Sequence, residues 1–249
     1  MKSIPYRLGV ETYCFREFKD NRDVIKQMKA AELSHVELCG MHADFSSTQA
    51  FAPTLKMYTD AEISIDAIFP PALRNDAKSE EPFYACAKMA GAQAICAHYG
   101  VVELETFRVA EQLAEKYDIR VAIHNHGGYH WLGSSEMIDY VLRRTSPRIG
   151  LCLDTAWAMA AGEDPLPWVE RFAGRIYGVH IKDFIFDRQG RPEDIVCGKG
   201  NLNLGKLDAA LRKIGFSGYA MLEYEGDADN PLPAIKECAA AVRKEFKHE

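Results

Sequence analysis

Four ionisable or coordinating residues each close a short apolar run, and their types suit a metal ion. The runs are Val-Ala-Ile-His124, Leu-Cys-Leu-Asp154, Tyr-Gly-Val-His180 and Ala-Met-Leu-Glu223. Two imidazoles and two carboxylates are ligands for divalent Mn, Zn, Co or Fe, whereas Mg is less favoured by histidine. A lone histidine in such a position is more often structural, but the four together predict one divalent cation with open coordination positions. A buried network of ion pairs is the alternative, because such networks also gather charged residues.

These runs belong to a longer alternation of strand-like and helix-like segments. The strand-like segments are Arg7–Thr12, His35–Leu38, Ser64–Phe69, Ala94–Ala97, Arg120–His124, Ile149–Leu153, Ile176–Ile181 and Tyr219–Glu223. The helix-like segments are Asp20–Glu32, Thr48–Ala61, Glu80–Ala90, Val102–Tyr117, Ser134–Arg144, Pro165–Phe172, Lys206–Ile214 and Pro231–Phe246. Strand-then-helix alternation indicates a parallel sheet covered by helices.

Eight such units in 249 residues predict an α/β fold, a single-domain (β/α)8 TIM barrel that spans residues 1–249. A doubly wound open sheet is the alternative, but it usually has fewer strands, and no Gly-x-Gly-x-x-Gly follows the first strand. The active site of a TIM barrel lies at the carboxyl ends of its strands. The four candidate ligands lie at those ends, as do Glu11, Glu37 and His98.

Composition excludes several functional classes. The net charge of −6 lacks the basic footprint of a nucleic-acid binder. No apolar run is long enough to predict a membrane span, and the first seven residues lack the apolar core of a secretory signal. The seven cysteines are odd in number and contain no Cys-x-x-Cys pair, which is typical of reduced thiols. We therefore expect a cytoplasmic protein with a small-molecule partner, and neither a nucleic acid nor a membrane as partner.

Motifs in the second half carry a resemblance to a known superfamily. They are Gly150-Leu-Cys-Leu-Asp154-Thr, Val179-His180-Ile-Lys182-Asp183, and Gly198-Lys-Gly200-Asn-Leu followed by Gly218-Tyr-Ala-Met-Leu-Glu223-Tyr-Glu225; Ala97-His98-Tyr-Gly100 is similar to a His-Pro-Gly turn of the fourth strand. With these motifs the chain resembles the sugar phosphate isomerase/epimerase superfamily, the xylose isomerase-like TIM barrels. The resemblance implies a metal-binding role for Asp154, His180 and Glu223.

The chain departs from this pattern at the end of the fifth predicted strand. Epimerases of the superfamily usually carry a Glu there, often as Glu-Asn-His, and this Glu transfers protons together with the Glu of the eighth strand. Here the stretch reads His124-Asn125-His126, which is similar to a His-Asn-His subgroup. The histidine keeps a potential metal ligand but alters the acid/base equipment. Asn125 alternates away from both histidines, so we expect it to brace a loop backbone.

A DNA-repair nuclease of the endonuclease IV type is not indicated. Those members of the superfamily need extra histidines to hold three zinc ions. In this chain the third-strand position is Phe69, and the residue three after Asp154 is Trp157. We therefore expect one metal ion.

The resemblance implies proton transfer on an α-hydroxy ketone. A chelated cation would offer positions to two adjacent oxygens of the substrate and stabilise the enediolate formed when the proton between them is removed. Glu223 is the first candidate for the base, and His126, on the same face of its strand as His124, is the second. Lys182 and Asp183 are expected to polarise a substrate oxygen or to move a proton.

Further residues are candidates for contacts with the sugar. His98 is expected to bind a hydroxyl group, and Trp157 and Phe69 either face the sugar ring or pack at the rim. Glu11 and Glu37 either accept hydrogen bonds from hydroxyls or pair with a loop cation such as Arg16. The Gly198-x-Gly200 turn either binds a phosphate through its N–H groups or is an ordinary turn, so the phosphorylation state of the substrate stays open.

Three functions compete at this stage. The first is a metal-dependent isomerase or epimerase of a sugar or keto-sugar. The second is a lyase or dehydratase acting on a 3-keto sugar or inosose, which starts from the same enolate and expels a leaving group. The third is a non-catalytic sugar-binding barrel, since fold alone does not fix function. Homo-oligomerisation is also left open, because barrels of this superfamily often associate.

Overall fold

The computed structural model describes residues 7–99, 105–127 and 130–246, which form a closed parallel barrel. Its strands and those of one hairpin are β1 Arg7–Glu11, β2 His35–Cys39, β3 Ser64–Phe69, β4 Ala94–Ala97, β5 Arg120–His124, β6 Ile149–Asp154, β7 Ile176–Ile181, β8 Asp183–Phe186, β9 Pro192–Ile195 and β10 Tyr219–Leu222. β1 to β7 follow one another around the barrel, and β10 closes it by pairing with both β7 and β1. The predicted TIM barrel is confirmed, and the open sheet is excluded because no barrel strand lacks a neighbour.

Helices lie between the strands on the outside of the barrel. Within the described ranges they are α1 Asn21–Ala30, α2 Thr48–Asp60, α3 Ala77–Ala90, α4 Glu105–Tyr117, α5 Ser135–Leu142, α6 Thr155–Ala160, α7 Pro165–Arg171, α8 Leu204–Lys213 and α9 Leu232–Glu245. Most begin at a side chain that caps their free N–H groups, as Asp20 does for α1 and Asn203 for α8. Among the described residues no helix is both long and apolar enough to cross a bilayer.

The side chains of the strands divide into an outer and an inner layer because they alternate along each strand. Outward residues such as Val36, Ile68 and Ile123 pack in one large core with the helices. The inner cluster is small and dominated by Ala and Cys; its buried members are Ala67, Ala94, Cys96, Ala122, Cys152, Tyr177, Tyr219 and Met221. All seven cysteines are buried and free.

Two elements escaped the sequence patterns. The hairpin β8–β9 follows β7 directly, and α6 follows β6 directly. The strands of the hairpin have four residues each and lack a regular apolar alternation, and α6 has six residues, too few to repeat a helix period. The start of the predicted helix Val102–Tyr117 and Gly100 lie outside the described residues, as do both ends of the predicted span 1–249.

Gly9 allows β1 to approach its neighbours. A Cβ at this position would lie 2.3 Å from the carbonyl oxygen of His35 and 2.6 Å from Sδ of Met221. We expect Gly9→Ala to lower the free energy of unfolding by about 1–3 kcal/mol, the usual cost of overpacking, as measured by denaturant unfolding. As a control, Gly205 of α8 has only ordinary contacts at 3.6 Å and beyond, so Gly205→Ala should not destabilise the protein. If the Gly9→Ala variant unfolded at the same denaturant concentration as the wild type, the close approach of β1 to its neighbours would not require glycine at this position.

Candidate metal centre and active site

The barrel brings the four predicted ligands together at the carboxyl ends of β5, β6, β7 and β10. One ligand atom from each of His124, Asp154, His180 and Glu223 lies within 4.8 Å of the others, and all four residues are buried. Nε2 of His124 is 3.5 Å from Oδ2 of Asp154 and 3.8 Å from Oε2 of Glu223. Nδ1 of His180 is 2.7 Å from the same Glu223 oxygen. The group therefore has the size and the donor types of a site for a divalent cation.

Buried polar atoms without partners support this fit. Both ring nitrogens of His124 and Oδ2 of Asp154 make no hydrogen bond, although each is inaccessible to solvent. Unpaired buried polar atoms are costly and uncommon in folded proteins. Ion pairing accounts for the partners of Glu223 and for the 3.5 Å approach of Nε2 of His124 to Oδ2 of Asp154, but it leaves these atoms without a hydrogen bond. A cation bound to Nε2 and Oδ2 would give both atoms a partner.

The carboxylates around His124 also shift its protonation. Burial by itself lowers the pKa of His124, but the neighbouring Asp154 and Glu223 outweigh burial and raise the pKa to about 10. Without a cation His124 is therefore protonated at neutral pH. Metal binding must release this proton, because only the neutral imidazole is a ligand.

Glu37 lies beneath His180 and orients it. Nε2 of His180 donates to Oε1 of Glu37 at 2.9 Å, which leaves Nδ1 directed at Glu223. A carboxylate on the far nitrogen is the usual support of a metal-binding histidine. Glu37 is 0% exposed and does not line the cleft described below. Its geometry is that of a positioning residue, in contrast to the predicted contact with sugar hydroxyls.

Backbone clamps hold the loop ends that carry the ligands. The side chain of Asn125 accepts the N–H of Asp154 at 2.8 Å and donates to its carbonyl oxygen at 3.0 Å, which is the bracing role expected from its alternation. Oδ1 of Asp154 accepts the N–H of Trp157 at 2.7 Å and caps α6, so that Oδ2 faces the site. Thr155 bridges to β7 by donating to the carbonyl oxygen of Lys182 at 2.6 Å.

Lys182 is a fully buried cation between two carboxylates. Its Nζ donates to Oε1 of Glu223 at 2.7 Å and also to Glu225. Burial favours a higher pKa for Glu223, but the Lys182 ammonium and the two imidazoles outweigh it and hold that pKa well below its usual range. Glu223 therefore stays ionised, with Oε1 paired to Lys182 and Oε2 facing the histidines.

A cleft of about 350 Å³ opens above these residues. Its lining includes the predicted contacts Glu11, His98, His126, Trp157 and Phe69; the full lining is Glu11, Tyr13, Phe69, Pro70, Ala72, His98, His124, His126, Trp157, Glu223 and Glu225. The rings of His126 and Trp157 stack at 4.0 Å with an angle of 25° between their planes. Aromatic and imidazole surfaces therefore dominate the wall. The predicted pairing of Glu11 with Arg16 is not formed: Glu11 accepts from Sγ of Cys39 at 3.0 Å.

Three residues near the cleft were not among the predicted site residues. Tyr13 and Glu225 each come two positions after a predicted residue, Glu11 and Glu223, so continuing the strand alternation past the strand end would have found them. The ring centroids of His130 and His98 are 4.5 Å apart, and no local pattern signals this contact, because His130 lies outside any helix or strand. Burial lowers the pKa of His98 and of His130 to about 4, so both rings are neutral at neutral pH.

Asp183 anchors the loop that follows β9. Its carboxylate accepts four backbone N–H groups at 2.8 to 2.9 Å, from Gly198, Gly200, Asn201 and Leu202. Both oxygens are therefore used, and Asp183 is absent from the lining of the cleft. These contacts are those of a loop anchor, so the proton-transfer role predicted for Asp183 is not part of the function proposed below.

Comparisons with known proteins agree with this architecture. A family model described as a xylose isomerase-like TIM barrel matches residues 92–245. The rhizopine catabolism protein MocC of Rhizobium meliloti is 30% identical over 139 residues, which cover 50% of this chain and 42% of that protein. An inosose dehydratase of Geobacillus kaustophilus is 27% identical over 152 residues, 55% of this chain and 48% of that enzyme. The chain thus spans about half the length of the curated relatives it matches.

Solved structures share the fold over nearly the whole chain. A sugar phosphate isomerase/epimerase from Parabacteroides distasonis has a TM-score of 0.76 at 18% identity and covers 99% of this chain and 97% of its own. The 3-keto-D-glucoside 4-epimerase YcjR of E. coli has a TM-score of 0.74 at 15% identity, with 96% and 99% covered. The probable 3-DHS dehydratase AsbF of Bacillus anthracis has 0.76 at 16% identity, with 95% and 98% covered. At these identities the likeness is one of fold.

Metal binding should stabilise the protein. Because a cation would bind the folded site and not the unfolded chain, Mn²⁺ at a hundredfold excess over its Kd should add about 2.7 kcal/mol to the free energy of unfolding. Differential scanning fluorimetry after chelation should show a lower Tm, and added Mn²⁺ should restore it. The His124→Ala variant should lose most of this Mn²⁺-dependent rise in Tm. The His98→Ala variant removes an imidazole that is not a candidate ligand, so it should keep the rise. An equal response in both variants would contradict the assignment.

Loss of the carboxylate beneath His180 should weaken the metal site without removing a ligand. We expect Glu37→Gln to lower the affinity for Mn²⁺ by roughly 10–100-fold, the usual effect of changing such a partner, measured by isothermal titration calorimetry. Glu80→Gln is the matched control: Glu80 is equally buried but bonds only backbone N–H groups of Arg74 and Asp76. Whatever its effect on stability, the control substitution should leave the affinity for Mn²⁺ unchanged. Unchanged affinity in Glu37→Gln would refute the positioning role.

Proposed function

The chain belongs to the xylose isomerase-like TIM barrel family, and on this premise we propose that it is a metal-dependent isomerase or epimerase of a sugar or keto-sugar. The observation that carries the proposal is the buried set His124, Asp154, His180 and Glu223 at the floor of the cleft, with polar atoms that lack a protein partner. The substrate would be an α-hydroxy ketone, and the reaction would remove the proton between its two oxygens.

The donor set determines which cation suits the site. Two imidazoles and two carboxylates favour Mn, Zn, Co or Fe over Mg. Bound there, the cation would supply Lewis-acid stabilisation of the negative charge that develops on two neighbouring substrate oxygens. Glu37 would hold the ring of His180 in the orientation that presents Nδ1, and Asn125 would hold the backbone of Asp154.

His126 and Glu223 are the candidates for proton transfer. Burial lowers the pKa of His126, so its ring is neutral at neutral pH and able to accept a proton. Glu223 is ionised but a weak base while Lys182 is bonded to it. The two residues come from different strands, which suits an epimerisation in which one group removes a proton from one face of a carbon and another returns a proton to the opposite face of the same carbon.

The remaining lining residues suit a sugar. Trp157 and Phe69 offer ring surface to its C–H groups, and His98 and Glu11 offer hydrogen-bond partners to its hydroxyls. Lys182 keeps Glu223 in place by its hydrogen bond and has no access to solvent. The cleft volume of about 350 Å³ matches a small-molecule ligand.

A lyase is the second candidate, and two observations favour it. An imidazole replaces the usual carboxylate at the end of β5, so the pair of glutamates used by family epimerases is incomplete. The relatives matched in sequence include inosose dehydratases. This reaction would begin with the same proton removal and then expel a β-hydroxyl as water instead of returning the proton. Sugar binding alone, without catalysis, does not explain why buried polar atoms of His124 and Asp154 make no hydrogen bond.

Deuterium exchange separates these functions. The Mn²⁺-loaded protein should incorporate deuterium from D₂O at the carbon between the carbonyl and the hydroxyl of a suitable ketose or keto-sugar, detected by NMR. Retention of the molecular formula indicates the isomerase or epimerase, and loss of water with an enone absorbance indicates the lyase. Absence of exchange across a broad panel of ketoses, 3-keto sugars and inososes would rule out both enzymes.

His126 should be needed for the exchange. We expect His126→Gln to slow deuterium incorporation by about 10²–10⁴-fold, the usual contribution of a general base, with Mn²⁺ affinity retained. His35→Gln is the control, since His35 lies at the start of β2, near Asp66 and at the opposite end of the barrel. A His126→Gln variant that exchanges at the wild-type rate would leave Glu223 as the base.

A further inference from the structure

The turn that the sequence offered as a phosphate site is occupied by the protein itself. In many TIM barrels the loops after the seventh and eighth strands bind phosphate through backbone N–H groups. Here Gly198 and Gly200 donate to Oδ2 of Asp183, both at 2.9 Å, and two further N–H groups of the turn donate to Oδ1. A Cβ on Gly200 would lie 2.6 Å from Oδ1 of Asp183, so the glycine makes room for this carboxylate. No N–H of these four residues is left for a phosphate.

The loop after the eighth barrel strand is acidic. Residues 223–230 read Glu-Tyr-Glu-Gly-Asp-Ala-Asp-Asn, with four carboxylates and no Lys or Arg. The helix that follows, α9, is preceded by Pro231 and has Pro233 in its first turn. Proline has no N–H, so this helix N-terminus has fewer donors for an anion than an ordinary one. The second usual phosphate position is therefore also unsuited to an anion.

Neither Lys nor Arg lines the described part of the cleft, and the cations near it, Lys182 and Arg16, bond other protein groups, apart from Nη1 of Arg16, which is buried and makes no hydrogen bond. The described lining contains Glu11, Glu223 and Glu225 but neither Lys nor Arg, and residues 100–104 and 128–129 contain no Lys or Arg in the sequence. Lys182 is 0% exposed and bonded to two of these carboxylates. Arg16, next to the rim, donates from Nη2 to the carbonyl oxygen of Glu225 at 2.6 Å and lies over the ring of Tyr13.

A phosphate group in the cleft would thus lie beside the side chains of Glu11, Glu223 and Glu225. A neutral polyol would instead contact ring surfaces and hydrogen-bond partners of the lining. The double charge of a cation held at this site and the single charge of Lys182 would be offset by the carboxylates of Asp154, Glu223 and Glu225, so no excess positive charge would remain for an anion. From these contacts we infer that the substrate is an uncharged, unphosphorylated sugar or cyclitol ketone. This inference rests on the proposed function, since it concerns the substrate of the same site.

Matched pairs of sugars test the inference. Isothermal titration calorimetry on the Mn²⁺-loaded protein would compare D-fructose with D-fructose 6-phosphate, and D-ribulose with D-ribulose 5-phosphate. We expect the free sugar of each pair to bind at least about tenfold more tightly, because like charges across a binding site disfavour the phosphorylated one. Inorganic phosphate should not compete. Tighter or equal binding of the phosphorylated sugars, or binding of no sugar at all, would overturn the inference.

Two variants identify the cause of the preference. Glu225→Gln removes a carboxylate from the lining and should narrow the preference for free sugars, whereas Glu193→Gln on the exposed face of β9 should leave it unchanged. Arg16→Gln should not affect either sugar; a selective loss of phosphorylated sugar in this variant would mark Arg16 as a phosphate ligand and refute the inference.

Exchange in D₂O then separates this inference from the proposed function. Exchange of the phosphorylated sugars alone would sustain the function and refute the neutral substrate. A clear binding preference for free sugars without exchange of any panel member would refute the function and sustain the neutral ligand.

Discussion

Charge burial at the mouth of the barrel is the constraint on which the site depends. His180 lies between Glu37 and Glu223, and Glu223 in turn lies between His180 and Lys182, with all four residues at most 5% exposed. Removing a charged group from water costs several kcal/mol unless partners compensate. Each of these four residues is therefore stabilised by its neighbours, and the loss of one residue leaves the charge of another unpaired. His124 and Oδ2 of Asp154 lie beside these four residues at 3.5 Å from each other but make no hydrogen bond, which makes them the part of the group most suited to an added cation.

The barrel supplies the precision that this arrangement requires. The strands β5, β6, β7 and β10 are hydrogen-bonded neighbours, so their carboxyl ends present side chains to one small volume. A register shift between Leu151 and Cys152 brings Asp154 level with His180. Asn125 and Thr155 then tie the backbone of one strand end to the next. Ligand positions set by paired strands and clamped loops vary little, which is what metal binding and proton transfer need.

The wall of the cleft is built mainly of aromatic and imidazole rings. These rings surround the space above the candidate metal ligands, where His126 and Trp157 stack. His124, at the end of β5, takes the position at which the resemblance places a carboxylate in the epimerases. The loops that could have bound an anion are filled by Asp183 or carry their own carboxylates. A cleft with neutral histidine rings in its wall, and without loops that can bind an anion, is therefore consistent with a neutral ligand.

The sequence by itself determined the barrel and the convergence of four candidate ligands. Eight alternating units predicted the closed sheet, and because parallel strands end at the same rim, residues that close apolar runs had to meet there. His124, Asp154, His180 and Glu223 could be found in this way, and so could the bracing role of Asn125. Only the tertiary structure decided the roles of Glu37 and Asp183. The sequence placed both near the ends of strands, as it did the candidate ligands, but β2 continues to Cys39, so Glu37 lies below His180, and Asp183 turns to the loop 198–202. Local alternation states on which face a side chain lies, whereas its partner across the barrel depends on strand register and on loops distant in sequence. The position of His130 beside His98 follows the same rule, since a contact between segments far apart in sequence leaves no period in the chain.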